Sequence, residues 1–589
     1  MNSRSAVTAI RRALYEAPAM RRGLGTTLLL AVVGTAGHLI VPIAIREVLD
    51  REVLSAGDID VQAVAVAGAV AVLGLLGAML ANRISQFRLA VAASRGLAEL
   101  RVKVFRHIHD LSVLHVQAER RGVLVSRVTS DIEAISQFLE WGGVGMLVGS
   151  AQVGLVLGLM AVYDWRLTLL VLAAGLLYLG LLLSFQRILS RAYDRVRVRV
   201  GESLGAMSET IAGLPTIRAY GAEDRSRTKV DSALDAQFRT EFRTGALGAV
   251  MFSSGELFAA SVTALVVAAG VLIGPAGGLT AGQLVAFLFL VTLFIEPVQL
   301  LVEVLDQAQT AAAGVRRVVD VLDTPLEIAD PDRISGRGRE LPAGPLAVRF
   351  TGVRFRYPTG PDVLSDLDVS IAPGERIAVV GETGSGKSTF VKLLTRLLDP
   401  VEGTITLSGI PLEQARFASL RRRVAFVPQD GFLFDTTLDD NVRYGVPEAD
   451  REEIARAFDE LGLDAWVAGL PDGLDTRVGE RGSRLSAGER QLVALVRAWI
   501  VAPDLLVLDE ATSAVDPALE VRLRQAIERL TAGRTSVTVA HRLSTAEAAD
   551  RVLVFDAGRL VQEGPHAALV ATPGVYRALH ADWASVTGR

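Results

Sequence analysis

A glycine-rich segment near the middle of the chain has the residue types and spacing needed to hold phosphate groups. Residues 381–388 read GETGSGKS, which fits the pattern GxxxxGK[ST], between a strand-like run (Arg376–Val380) and a helix-like run (Phe390–Leu398). Glycines let backbone N–H groups close around phosphate oxygens, and the following helix N-terminus adds positive potential. Lys387 would neutralise the β- and γ-phosphates as a catalytic residue, and the Ser388 hydroxyl would ligate Mg²⁺. We therefore predict an ATP and Mg²⁺ site formed by Gly381, Glu382, Thr383, Gly384, Ser385, Gly386, Lys387, Ser388 and Thr389.

Two acids follow an apolar run later in the chain. Leu505–Leu508 predicts a buried strand, and it ends in Asp509 and Glu510. A carboxylate at a strand end can hold Mg²⁺ through water, and a second carboxylate beside it can polarise the attacking water. We assign Asp509 to the metal and Glu510 to the catalytic water. Taken alone, a strand that ends in two acids is a weak signal.

Further segments in the same half resemble the ATPase domain of ABC transporters. Residues 485–491 read LSAGERQ, which is similar to the family signature LSGGQ, and they precede the strand that ends in Asp509, as the family requires. Alone, Tyr357 would be a core residue and His541 an ordinary strand-end residue, so the order and spacing of the matches carry the resemblance. It implies roles for these residues: adenine stacking by Tyr357, the glutamine loop and a metal contact by Gln429, the D-loop by Asp516, a catalytic γ-phosphate contact by His541, and capping of the partner's ATP by Ser486, Ala487, Gly488 and Glu489.

The signature departs from the family pattern at two positions. Ala487 stands where the family usually has glycine, and Glu489 stands where it has glutamine. Alanine disfavours a positive φ, and Glu489 brings an acid near a phosphate. The resemblance implies that each ATP lies between the P-loop of one chain and the signature of another, so a second half-transporter is required. With intact Glu510, the pattern resembles heterodimeric exporters, and we favour a heterodimer over a homodimer.

The first half of the chain is apolar enough to lie in a membrane. Mean hydropathy is +0.37 overall, and the apolar residues are concentrated before about residue 305. A span needs roughly 20 apolar residues. Six segments qualify: Leu24–Ile45, Val61–Asn82, Trp141–Tyr163, Leu167–Phe185, Val250–Ile273 and Ala281–Val302. The predicted fold is an all-α six-helix transmembrane domain followed by an α/β P-loop ATPase domain, divided into an amphipathic N-terminal segment (1–23), the membrane domain (24–325), a linker (326–345) and the ATPase domain (346–589).

The charged residues predict the orientation in the lipid bilayer. The long segments after spans 2 and 4 are rich in arginine, whereas the short link after span 1 is acidic. Positive charge stays in the cytoplasm, so both termini and the ATPase domain are predicted to lie there, with the chain in the cytoplasmic (inner) membrane. The long segments are predicted to be helical extensions of the spans. By resemblance to exporter-type ABC proteins, their turns near 112–119 and 213–222 would be coupling helices that rest on the ATPase domains.

The sequence says less about the transported substrate than about the ATP site and the membrane spans. Glu296, which precedes the helix-breaking Pro297, and Glu256 are candidates for the substrate path, because ionisable residues in spans are functional by default. A net charge of −4 without a basic field argues against nucleic acid, and the absence of cysteine excludes disulfides and thiol chemistry. We predict ATP-driven export of a hydrophobic or amphipathic compound, whether small molecule, lipid or peptide. An exporter-fold importer of a siderophore, and an ATP-gated channel or regulatory subunit, are the alternatives.

Overall fold

The computed structural model describes residues 12, 18, 23–53, 60–119, 121–273, 279–358, 360–509, 517–540 and 542–587. These residues form two compact units. The first comprises residues 1–109 and 121–324, and the second comprises residues 110–120 and 325–589. Most of the predicted amphipathic segment 1–23 lies outside the described residues.

The first unit is helical. The helices are numbered in chain order, so the numbering includes α4, which belongs to the second unit. They are α1 (Leu24–Ala36), α2 (Ile40–Val48), α3 (Val61–Asp110), α4 (Val113–Ala118), α5 (Arg121–Val128), α6 (Ser130–Gln137), α7 (Gly143–Tyr163), α8 (Trp165–Ala212), α9 (Leu214–Ala219), α10 (Glu223–Ile273) and α11 (Ala281–Asp323). Among the described residues, five helical stretches are long and apolar enough to cross a membrane, and each overlaps one predicted span: Gly25–Arg51, Val61–Asp110, Trp165–Ala212, Glu223–Leu272 and Ala281–Leu300.

The remaining predicted span, Trp141–Tyr163, coincides with α7. This helix has 21 residues, of which Val148–Tyr163 form a shorter apolar stretch. At 1.5 Å per residue α7 is roughly 31 Å long, which equals the hydrocarbon thickness of a bilayer. The prediction of a six-helix transmembrane domain is confirmed.

Four of the described helices are much longer than a membrane is thick. α3, α8, α10 and α11 contain 50, 48, 51 and 43 residues. Each is therefore roughly 65–77 Å long, more than twice the hydrocarbon thickness. The segments that follow spans 2 and 4 are thus helical, as the patterning predicts, and short helices occur at both predicted turns, α4 and α9.

The membrane helices approach one another closely at small residues. α8 packs against α10, and α7 packs against α11 around a core that includes Val156, Met160 and Phe287. Gly255 on α10 lies so near α11 that a Cβ there would come within 1.7 Å of the Gln299 side-chain nitrogen. Small residues at helix crossings are typical of membrane packing, because dispersion contacts replace the hydrophobic effect there.

The second unit is an α/β domain. Its strands are β1 (Val348–Arg356), β2 (Asp362–Ile371), β3 (Arg376–Gly381), β4 (Glu402–Leu407), β5 (Ile410–Pro411), β6 (Val424–Val427), β7 (Leu505–Asp509), β8 (Thr535–Val539), β9 (Arg551–Asp556) and β10 (Arg559–Gly564). A four-stranded antiparallel sheet has the order β2-β1-β4-β5, and a six-stranded sheet has the order β10-β9-β3-β8-β7-β6. In the second sheet only the β9–β10 pair is antiparallel. The α/β prediction for this half is confirmed.

The helices of this unit cover the sheets. They are α12 (Pro331–Ser335), α13 (Lys387–Leu394), α14 (Phe417–Arg423), α15 (Leu438–Arg443), α16 (Arg451–Glu460), α17 (Asp464–Ala468), α18 (Ala487–Val501), α19 (Pro517–Thr531), α20 (Leu543–Glu547), α21 (His566–Ala571) and α22 (Val575–Thr587). The short helix α4 also belongs here. Its N-cap Ser112 donates a hydrogen bond to Glu327 Oε2 at 2.6 Å, and Leu114 packs against the domain core.

Candidate nucleotide-binding site

The P-loop lies at the carboxyl end of the buried strand β3. Its backbone needs glycine, because φ is 151° at Gly381, 88° at Gly384 and 100° at Gly386. A Cβ at Gly381 would also come within 2.2 Å of the Phe555 carbonyl oxygen. Gly386 is the N-cap of α13, and no side chain caps this helix end. The backbone N–H groups of the first turn are thus free of side-chain caps where an anion would bind.

Two polar side chains are buried in the loop. Lys387 is 5% exposed, and its Nζ donates hydrogen bonds to the carbonyl oxygens of Gly381 and Glu382, both at 2.7 Å. The Ser385 Oγ is buried and has no hydrogen-bond partner within the described part of the chain. A buried hydroxyl without a partner is costly, so it indicates a ligand oxygen at this position. The loop therefore fits a polyphosphate.

The predicted metal ligands meet beside the loop. Ser388 Oγ donates to Asp509 Oδ1 at 3.4 Å, and Asp509 is 8% exposed at the end of β7. A hydroxyl and a carboxylate are oxygen ligands of the kind that Mg²⁺ prefers. Gln429 lies two residues beyond β6, which pairs with β7, and its side chain is exposed at the same edge of the sheet. Three of the predicted residues are thus gathered at the carboxyl ends of neighbouring strands.

Tyr357 lies beside the P-loop helix. Its hydroxyl is 3.1 Å from Thr389 Oγ1, and its ring makes an edge-to-face contact with Phe355 at 5.1 Å between centroids. The half-buried ring borders an open pocket of about 570 Å³, which Leu114 and Pro358 also line. An aromatic ring at the rim of a pocket next to the phosphate loop can stack on a nucleotide base.

The signature forms a regular helix start. Ser486 is the N-cap of α18; its Oγ accepts from the Glu489 backbone N–H at 3.3 Å, and Glu489 Oε2 accepts from the Ser486 N–H at 2.8 Å. This arrangement is a capping box, which uses glutamate or glutamine equally at this position. Glu489 Oε1 also accepts from Trp466 Nε1 at 3.1 Å. The carboxylate is therefore directed into its own domain.

The electrostatics of Glu489 reflect these contacts. Partial burial raises the pKa of the carboxyl group, but the hydrogen bonds from Ser486 and Trp466 outweigh burial, and the net pKa is lowered. Ala487 is the first residue of α18 and is not among the described residues of positive φ. The sequence argument that alanine restricts this backbone therefore does not apply, because no left-handed conformation is needed there.

The structure brings the predicted P-loop and metal-binding residues together, but it does not join the signature residues to them. Within the described part of the chain, no hydrogen bond or ion pair joins residues 486–489 to residues 381–389.

Gln491, one turn into α18, is buried, and its side-chain nitrogen donates to the Pro428 carbonyl oxygen at 3.4 Å. Sequence reasoning placed Gln491 in the signature segment but assigned it no contact, and it missed Trp466, for which an indole N–H donor is the only signal. Glu510, Asp516 and His541 lie outside the described residues.

The membrane candidates lie on two long helices. Glu256 is on α10 and Glu296 is on α11, immediately before Pro297 within that helix. Both side chains are exposed, and neither has a hydrogen bond or ion pair to another described residue. Their part in a substrate path stays a prediction.

Comparisons with known proteins identify both halves. The family model for the ABC transporter transmembrane region matches residues 24–298, and the ABC transporter model matches residues 364–513. The ATP-dependent lipid A-core flippase of Chromohalobacter salexigens is 36% identical over 497 residues, which cover 82% of each chain. The chain belongs to the ABC transporter family. As an ABC transporter it binds nucleotide and couples ATP hydrolysis to transport across a membrane that it crosses several times.

Two further similarities lie within the same family, one to a curated transporter and one to a solved exporter structure. The fatty acid ABC transporter ATP-binding/permease protein of Mycobacterium bovis is 34% identical over 496 residues, which cover 83% of this chain and 76% of that protein. A solved structure of a bacterial Atm1-family ABC exporter with ATP bound superposes with a TM-score of 0.81 at 28% identity, over 96% of this chain and 98% of the other. The predicted fusion of an exporter-type membrane domain with an ABC ATPase domain is confirmed.

Proposed function

We propose that this chain is one half of a dimeric ABC exporter that moves a hydrophobic or amphipathic compound out of the cytoplasm. One observation supports the dimer above the others. The second unit contains one P-loop and one signature helix start, and no hydrogen bond or ion pair connects them among the described residues. Because one chain supplies one of each, two chains are needed to enclose an ATP between a P-loop and a signature.

Each residue of the site has its own role in binding or hydrolysing ATP. Lys387 and the P-loop N–H groups hold the β- and γ-phosphates, and Tyr357 stacks on the base. Ser388, Asp509 and Gln429 would hold Mg²⁺, which would neutralise phosphate charge when bound. Glu510 orients and deprotonates the attacking water, and His541 contacts the γ-phosphate. Ser486 and the backbone near Gly488 cap the ATP held by the partner chain, while Asp516 supplies the D-loop contact.

The identity of the second chain is a separate question. The heterodimer expected from Ala487 and Glu489 rests on family analogy alone, because the structure fits both residues into a normal helix start. Purification of the chain alone, followed by ATPase measurement in lipid, decides the matter. Robust activity would establish a homodimer. An inactive lone chain that gains activity only with a different half would support the heterodimer.

A pocket in the first unit supports an anionic amphiphile as substrate. It has a volume of about 400 Å³ between α8 and α10, and its lining includes three arginines (Arg195, Arg199 and Arg243), two acids (Asp194 and Glu202), Thr244 and Leu247. Arg195 and Arg243 have no hydrogen bond or ion pair to any described residue, whereas Arg199, which also lines the pocket, is paired with Glu202 at 2.6 Å.

The pocket lies on the arginine-rich side of the spans, which is predicted to be cytoplasmic. Thr244 and Leu247 stand roughly 5–9 Å before the predicted start of span 5 at Val250, and Arg195 and Arg243 stand roughly 10–15 Å from the nearest predicted ends of spans 4 and 5. Basic pockets between membrane helices on this side hold anionic headgroups. The relatives named above act, by their names, on lipid A-core and fatty acid, and both substrates combine hydrocarbon chains with anionic groups. We propose that this chain recognises the same chemical class, with Glu256 and Glu296 further along the path.

The direct test is ATPase stimulation in proteoliposomes. The wild type and a Glu510→Gln control would be assayed with a panel of acylated anions, their zwitterionic counterparts, and short-chain analogues. We expect acylated anions to stimulate turnover and to appear on the face opposite the ATPase domain. Substrate movement toward the ATPase domain would establish the importer alternative. Passive flux that opens with ATP but needs no hydrolysis would establish the channel.

A further inference from the structure

Three side chains from three separate elements converge near the C-terminus of the second unit. Glu547 ends α20, His566 begins α21, and His580 lies in α22. One potential ligand atom from each residue lies within 4.8 Å of the corresponding atoms of the other two. The two imidazole centroids are 5.6 Å apart, with an angle of 49° between the rings. Glu547 is exposed and both histidines are half-buried, so the group is open to solvent on one side.

A buried phenol orients one of the histidines. The hydroxyl of Tyr576, which is fully buried, is 2.6 Å from His566 Nδ1. A phenol oxygen can accept a hydrogen bond from Nδ1–H, and this tautomer leaves the Nε2 lone pair of His566 free. Histidines that bind metals are held in the same way, with the second ring nitrogen donating to a fixed acceptor.

We propose that Glu547, His566 and His580 bind one divalent transition-metal ion of the zinc class. Two imidazoles and one carboxylate form a ligand set typical of Zn²⁺, which leaves a fourth position for water. The hard cations Mg²⁺ and Ca²⁺ favour all-oxygen sites and are selected against here. Ligand atoms that lie within 4.8 Å of one another must approach by at most roughly 1.4 Å to match tetrahedral zinc, which side-chain rotation of the exposed Glu547 and of His580 allows. The chain has no cysteine, so no thiolate competes for the ion.

The ion would connect two parts of the ATPase domain. α20 begins two residues after His541, the predicted γ-phosphate contact, and α22 is the last described helix. Binding to Glu547 and His580 together fastens the segment after His541 to this C-terminal helix. Since the site forms only in the folded domain, the ion also stabilises that fold.

The test is metal binding by the full-length protein, purified without a polyhistidine tag and stripped with a chelator. Isothermal titration with Zn²⁺ should show one ion per chain and a rise in the melting temperature, whereas Mg²⁺ should show no binding at this site. Co²⁺ should develop the visible absorption of a nitrogen-ligated, low-coordinate ion. His580→Ala and Glu547→Gln should each weaken Zn²⁺ binding at least about tenfold. The matched control, His109→Ala, removes an exposed histidine from α3 and should bind as the wild type does.

These variants keep the proposal falsifiable. His566→Ala is avoided because it removes the hydrogen-bond partner of buried Tyr576 and could unfold the C-terminal helix. The proposal is overturned if the wild type binds no Zn²⁺, or if His580→Ala and Glu547→Gln bind it with unchanged affinity and stoichiometry. None of these measurements depends on the transport substrate or on the partner chain, so failure here leaves the proposed function untouched.

Discussion

Ser388 and Asp509, separated by 121 positions in the sequence, meet at the carboxyl edge of the parallel sheet, where the serine hydroxyl lies 3.4 Å from the carboxylate. The meeting follows from strand order. β3 leads into the P-loop, β7 ends in Asp509, and β8 alone lies between them. Ligands of open α/β sheets bind at this edge because the strand ends and the following loops converge there.

Replacement of Asp509 by alanine should weaken Mg²⁺ binding and shift the Mg²⁺ dependence of turnover to higher concentration. Without the carboxylate, Ser388 and Gln429 hold the metal less firmly, and we expect the ATPase rate to fall about 100-fold. A Mg²⁺ titration of ATPase activity, together with nucleotide binding in EDTA, measures the effect. Asp464→Asn, on the exposed surface of α17, is the matched control. Wild-type Mg²⁺ dependence in Asp509→Ala would contradict the assignment.

Replacement of Lys387 by methionine should weaken ATP binding. Methionine fills the space of the buried side chain but cannot donate hydrogen bonds to phosphate oxygens. Because these bonds involve charged groups, their loss should lower the affinity for ATP roughly 10- to 100-fold. Lys387→Ala should lose affinity as well. Equilibrium binding of a fluorescent ATP analogue checks this, with Lys392→Met at the other end of α13 as control. If affinity is unchanged, residues 381–388 are not the phosphate loop.

Glu510→Gln should retain ATP binding and lose turnover. An amide cannot accept the proton of the attacking water, so we expect a loss of about 10²- to 10⁴-fold in ATPase rate. The variant should also accumulate a closed, ATP-bound dimer, detectable by crosslinking. Glu452→Gln, an exposed carboxylate in the first turn of α16, serves as control. Normal turnover in purified Glu510→Gln would show that another group activates the water.

The signature variant Glu489→Gln should be nearly neutral. Glutamine keeps the capping box with Ser486, so ATPase activity should stay within about twofold, also when combined with Ala487→Gly. Glu489→Ala should instead lower the stability of the ATPase domain by about 1 kcal/mol, because the Ser486 and Trp466 N–H groups lose their acceptor. Thermal unfolding and ATPase rates separate the two effects. A large activation by the glutamine would mean that the carboxylate does disturb the partner's phosphate.

Cysteine labelling should establish the orientation in the membrane. Gly57→Cys and Gly277→Cys place thiols in links predicted to be extracellular, and both should react with a membrane-impermeant reagent in whole cells. Labelling is unambiguous because the native chain contains no cysteine. Gly201→Cys, exposed on the predicted cytoplasmic part of α8, should react only after permeabilisation. Protection of both link positions would reverse the proposed topology.

Much of the fold and part of the site could be predicted because they depend on local patterns. The length of apolar runs sets the membrane helices, since a bilayer requires a certain number of residues whatever their neighbours. The glycines of residues 381–386 adopt backbone angles that other residues rarely adopt, so the P-loop could be recognised from its local sequence alone. The uninterrupted helical patterning after spans 2 and 4 likewise predicted α3, α8 and α10 beyond the bilayer.

Other features were decided only by tertiary packing. The orientation of Glu489 depends on Trp466, which lies 23 residues earlier and has no recognisable link to the signature. The assignment of α4 to the second unit depends on its contacts with Glu327 and the domain core. The cluster of Glu547, His566 and His580 has no metal-ligand spacing in the sequence, because each residue comes from a different helix. Long-range neighbours are set by how helices and strands pack, and single-sequence patterns carry no record of that packing.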